Sequence, residues 1–167
     1  MKKLILLIVL ISLSSTLLFA QQQKGDSEIQ ISGFATVIDG DAMGSVFLKF
    51  GKYFTDNFQF GITPSVDIDT FGRSTNTTFG AGAFLTYSFL ASDAKTVPYF
   101  GASYRKTDLE NWDFEYGSVG GQLGLKYFVT DRTAFDIAGN YLVSIPAEDF
   151  IDSQGLVFVS FGFSYLF

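Results

Sequence analysis

Lys49, Asp67, Arg105, Lys126 and Asp136 are five isolated charges of both signs, set in stretches where small or polar residues alternate with large apolar ones. A charge on the polar face of such a stretch has little water around it and must be paired. The five can line a polar pore or gate, or they can lock a narrow interior as salt bridges; the lock is the expectation. Carboxylates offer the other chemistry. Asp67 with Asp69, and the cluster Asp108, Glu110, Asp113 and Glu115, permit acid–base work on paper, but such clusters are ordinarily solvated loop charges. The chain has no His and no Cys, which excludes Ser-His-Asp hydrolases, cysteine nucleophiles and ordinary zinc sites. We therefore expect no catalytic residue and no cofactor. Oxygen ligands leave room for a weak, shared divalent cation at Asp108, Glu110 and Asp113. No EF-hand spacing occurs, so no dedicated metal site is expected.

These charges must be held by something, and the chain's organisation says what. Met1-Lys2-Lys3, the apolar run from Leu4 to Leu10 and the stretch ending at Ala20 read as a cleaved secretory signal, residues 1–20. Residues 21–27 read as a polar, mobile lead-in, and residues 28–167 as one domain. Past the signal, nine Lys and Arg face seventeen Asp and Glu, a formal charge of −8, so nucleic acid is not an expected partner. After residue 20 no apolar run approaches the ~20 residues of a membrane helix. If the mature chain crosses a bilayer, a closed β-barrel is the remaining way.

Eight segments alternate with a period of two, the mark of strands with unlike faces. They span about 28–38, 45–54, 58–69, 77–90, 97–107, 114–128, 133–144 and 154–167. The third is the cleanest: Phe58, Phe60, Ile62, Pro64, Val66 and Ile68 face one way, and Gln59, Gly61, Thr63, Ser65, Asp67 and Asp69 the other. Pro64 is expected to weaken local pairing. Paired residues of an antiparallel hairpin share a face and keep a constant number sum. Centring one hairpin on Asp56 pairs Phe54 with Phe58 and Gly51 with Gly61; centring another on Asp131 pairs Tyr127 with Phe135 and Lys126 with Asp136. The two turns also look alike, Lys52-Tyr53-Phe54-Thr55-Asp56 against Lys126-Tyr127-Phe128-Val129-Thr130-Asp131, with Val129 shifting the register by one.

The polar face decides between a soluble sandwich and a membrane barrel. It is dominated by Gly, Ser, Thr and Ala with sparse charges, whereas a water-facing sheet would carry more Lys and Glu and fewer Gly. Such a face suits the interior of a narrow eight-stranded barrel. Aromatics near both ends of the apolar face, such as Phe54, Phe58, Tyr127 and Tyr165 at one and Tyr104, Trp112 and Tyr141 at the other, match interfacial girdles.

The chain resembles the small OmpA/OmpX-type outer-membrane β-barrels of the porin-family β-barrel group. The resemblance is carried by Tyr53-Phe54-Thr55-Asp56-Asn57-Phe58, by Tyr127 to Arg132 and by Phe161, Phe163, Tyr165 and Phe167 in the last strand. It implies an eight-stranded antiparallel up-and-down transmembrane barrel in the bacterial outer membrane, with both termini periplasmic. It also implies that the terminal aromatic strand is read by the barrel-assembly machinery, and that the protein is a monomer whose partner is outer-membrane lipid. The expected function is a non-enzymatic barrel serving envelope integrity or surface interactions, its lumen plugged by polar side chains. A small passive pore and a loop-mediated adhesion module are the alternatives.

Overall fold

The computed structural model describes residues 22–38, 41–71, 74–90, 95–107, 116–146 and 155–167. They form nine strands: β1 (Ser27–Ile38), β2 (Asp41–Tyr53), β3 (Phe58–Ile62), β4 (Ser65–Phe71), β5 (Ser74–Ser88), β6 (Thr96–Thr107), β7 (Tyr116–Phe128), β8 (Thr133–Pro146) and β9 (Gly155–Leu166). β3 and β4 are two halves of one stave. Every neighbour pair is antiparallel, and β1 pairs with both β2 and β9, so the sheet closes into a barrel of eight staves.

Pro64 causes the break in the third stave without shifting it. Tyr53 pairs with Gln59 below the break and Phe47 with Ser65 above it, the same register throughout. The Leu48 N–H still donates to the Pro64 carbonyl at 3.0 Å. Proline has no N–H to return, so one ladder bond is missing. Thr63 and Gly82 exchange both of theirs, at 2.9 and 3.0 Å.

Both hairpin registers expected from the parities are present: Gly51 faces Gly61, and Lys126 faces Asp136. The likeness of the two turns has a physical basis, offset by one residue. Thr55 Oγ accepts the Phe58 N–H and Thr130 Oγ the Thr133 N–H, each at 3.0 Å. Aligned on the threonines, Tyr53 matches Phe128, and both point inward.

The constant registers, carried once round the barrel, take Glu28 through Gly51, Gly61, Phe84, Ser103, Gly120, Leu142 and Leu156. The β1–β9 register, extended, then returns to β1 at Ile38, ten residues along. Such a stagger tilts the strands by roughly 40° and leaves an interior that side chains alone can fill.

The burial pattern is inverted relative to a soluble protein. Large apolar side chains point out, with Leu123 72% and Val157 75% exposed, while Glu28, Gln30, Gln59, Lys126 and Asp136 are buried. An outer wall of this kind is stable against hydrocarbon and unstable against water.

Two details depart from expectation. The lead-in is pinned, not mobile, from residue 23 on: Gly25 N–H donates to the Tyr53 carbonyl (2.8 Å), Tyr53 N–H to that of Asp26 (2.9 Å) and Lys24 N–H to Asp56 Oδ1 (2.7 Å). Gly25 adopts φ +98°, which lets the chain turn under the barrel end. The other is the closing seam. β1 and β9 share six pairs, Glu28–Leu166 to Gly33–Phe161, although β1 makes twelve with β2 and β9 eleven with β8. Above Gly33 the two strands are unzipped. A disulfide tests this cleanly in a chain without cysteine. Ile31→Cys/Phe163→Cys, mates in the ladder, should oxidise readily. Ala35→Cys/Val159→Cys, mates only if the ladder continued, should not, because a disulfide needs Cα atoms within about 7 Å. Equal yields would show a closed seam.

Candidate functional site

The barrel interior is built in layers, each supplied by inward positions of several strands. At the end carrying the termini and short turns, Tyr53, Val97, Phe128, Ala134 and Leu166 form an apolar plug, with Leu90 packed against it. Their inward aim follows from strand parity, and their common height from the tilt.

Above the plug lies a charged layer centred on Glu28. Lys126 Nζ donates to both carboxylate oxygens, at 2.5 and 2.6 Å. Tyr53 Oη (2.7 Å) and Gln59 Nε2 (2.8 Å) donate to Oε2 as well. Both charged side chains are almost fully buried, at 3% and 2% exposure. The Lys126 ammonium also lies 5.9 and 5.8 Å from the ring centroids of Tyr53 and Tyr99, within cation–π range. Tyr99 Oη donates to Asp136 Oδ1 at 2.9 Å. Four donor bonds on one buried carboxylate satisfy the condition under which a low-dielectric ion pair is tolerated.

The next layer is amide and hydroxyl. Lys49 Nζ donates to Gln122 Oε1 at 3.0 Å, and its ammonium stands 5.5 Å from the Phe84 ring centroid. The uppermost layer is aromatic and ionic. Phe34 and Phe158 stack with centroids 4.1 Å apart, and Phe47 lies 6.3 Å from each. Arg105 sits over Phe47 at 5.3 Å and donates to Asp67 Oδ1 at 3.1 Å, an oxygen that also accepts from Ser45 Oγ.

All five charges singled out from sequence thus face the interior, but their partners differ from the simplest expectation. Arg105 and Asp67 meet. Lys126 and Asp136 are register mates, yet the lysine turns to Glu28, on a strand 98 residues away in sequence. Lys49 meets a neutral amide. An interior of small residues is also too simple, since Phe34, Phe47, Phe84, Phe158, Tyr53 and Tyr99 occupy it. Glu28, Tyr53, Gln59, Tyr99 and Gln122 escaped sequence reasoning as network members. The signal for Glu28 was its parity with Gln30 and Ser32.

Phe161, Phe163, Tyr165 and Phe167 point outward, 42–65% exposed. Phe167 closes the seam at its lower end by exchanging two backbone bonds with Ser27, both 2.9 Å. Asp108, Glu110 and Asp113 lie outside the described residues, among which no acidic cluster fit to hold a metal occurs.

No protein-family model matches the chain, and no curated protein sequence matches it. Solved structures do. The chain is similar to the N-terminal β-barrel domain of Pseudomonas aeruginosa OprF, with TM-score 0.57 and 16% identity over 87% of this chain and 100% of that one. It is similar to neisserial surface protein A, with TM-score 0.57 and 18% identity over 85% and 95%. It is similar also to a de novo designed transmembrane β-barrel, with TM-score 0.55 and 14% identity over 88% and 99%. The architecture is that of the small eight-stranded transmembrane β-barrels. A shared fold does not by itself assign a function.

Proposed function

We propose that this protein is a non-enzymatic outer-membrane barrel, periplasmic at its termini, whose lumen is sealed and whose contribution is to the envelope itself: membrane integrity or surface interactions. The observation that supports the reading is the buried apolar cluster of Tyr53, Val97, Phe128, Ala134 and Leu166 beneath the buried Glu28–Lys126 pair. Eight staves give room for side chains and none for a diffusion channel, which takes roughly 16 strands. Recordings in planar bilayers should be silent for the wild type. Reproducible single-channel steps would replace this reading with a small passive pore. The apolar wall supports outer-membrane lipid as the surrounding partner; a monomeric working state is part of the same proposal.

The terminal strand presents Phe161, Phe163, Tyr165 and Phe167 in a row and supports recognition by the barrel-assembly machinery. Deletion of Phe167 should leave export intact and reduce the folded, heat-modifiable fraction in the outer membrane. Undiminished folded yield would discard that role.

A further inference from the structure

Between the amide layer and the aromatic layer lies a partly open cavity of about 40 Å³, room for an ion with one or two waters. Its composition is one-sided. Lys49 and Arg105 both line it, as do Thr63, Ser103, Gln122 and Asn140, and among the described residues no carboxylate does. Among the described residues each lumen acid is tied to another group through at least one oxygen, Glu28 to Lys126, Asp136 to Tyr99, and Asp67 to Ser45 and the Nη1 of Arg105, while the Oδ2 atoms of Asp67 and Asp136 are buried without a partner.

Two donors around this space lack an acceptor. Lys49 gives one N–H to Gln122 Oε1 and, among the described residues, has no carboxylate in hydrogen-bond reach. The Nε–H of Arg105 and the hydroxyl of Thr63 are buried with no acceptor at all. Buried donors left unmade are costly, and charged ones more so. Phe47, Phe84, Leu142 and Phe158 make the apolar part of the wall. They keep the local dielectric low and so strengthen any charge interaction inside.

We infer that this cavity is a binding site for a monatomic anion of halide size. Such an ion accepts from several donors at once and brings none of its own, which is what Lys49, Arg105 and Thr63 lack. The inference is independent of whether the barrel conducts, since a bound ion is observed without any current.

The experiment uses refolded full-length barrel in a neutral detergent. Crystals grown with bromide should show one anomalous peak in the cavity, between Lys49 Nζ and the Arg105 guanidinium. In solution the Arg105 Nε–H resonance should shift saturably with chloride at constant ionic strength, balanced by gluconate, an anion too large to enter. Lys49→Met should weaken chloride about tenfold, the loss of one charge-assisted bond. Lys49→Arg, which keeps the charge, should retain binding and guards against a folding defect in the Met variant. Bromide found only on the protein surface, an Arg105 resonance indifferent to chloride, or equal affinity in wild type and Lys49→Met would each overturn the proposal and leave a cavity filled by water.

Discussion

Glu28→Ala is expected to destabilise the folded barrel by about 3–5 kcal/mol, the cost of leaving a buried charge without its partner. The Lys126 ammonium would lose the carboxylate that takes both of its shortest bonds, and Tyr53 Oη and Gln59 Nε2 would lose their acceptor. Removing both charges, in Glu28→Ala/Lys126→Ala, should cost less than the sum of the single changes. The coupling should lie in the upper part of the roughly 0.5–3 kcal/mol seen for residues in one network. Urea unfolding in lipid vesicles, followed by gel mobility and far-ultraviolet circular dichroism, measures it. The informative comparison is a second cycle on Lys126 and Asp136. These two are cross-strand mates, and pairing by proximity along the hairpin would make theirs the larger coupling. The geometry requires the reverse, because Asp136 takes its bond from Tyr99. A larger coupling at Lys126/Asp136 would place the lysine on the wrong acid.

Phe128→Ala should cost a similar amount, about 3–5 kcal/mol, for a different reason: it empties a space that neighbours cannot fill. Phe128 is 2% exposed and packs with Tyr53, Val97, Ala134 and Leu166 in the plug. The wall cannot collapse inward at this end, where the strands are held by hydrogen bonds on both sides. The adjacent Tyr127→Ala is the control. Tyr127 points outward, 49% exposed, and lipid takes up the space it vacates, so its loss should be clearly smaller. Unfolding midpoints for the pair, taken in the same vesicles, decide the matter; equal losses would mean that the plug is loosely packed.

Period-two alternation made the fold readable from sequence. Large residues on one face and Gly, Ser and Thr on the other decided that the apolar side faces out, because no water-facing sheet would be so poor in charge. The parities on either side of Asp56 and Asp131 settled two hairpin registers, since strand pairing is local across a short turn. All five charges could be assigned to the interior by the same parity. Their partners could not. Parity names the face a residue takes, but its height in the barrel depends on the stagger, which accumulates only on closure round all eight staves. That ten-residue stagger brings Glu28 level with Lys126. The same closure sets Phe34 of β1 against Phe158 of β9 and leaves the seam above Gly33 unzipped. It also gathers Lys49, Arg105 and Thr63 from separate staves around one cavity, whose described lining holds no carboxylate. The alternation determined by itself which way each side chain points. The tertiary structure decided whom it meets, because in a closed barrel contacts across the lumen are set by tilt and circumference and leave no trace in the order of the chain.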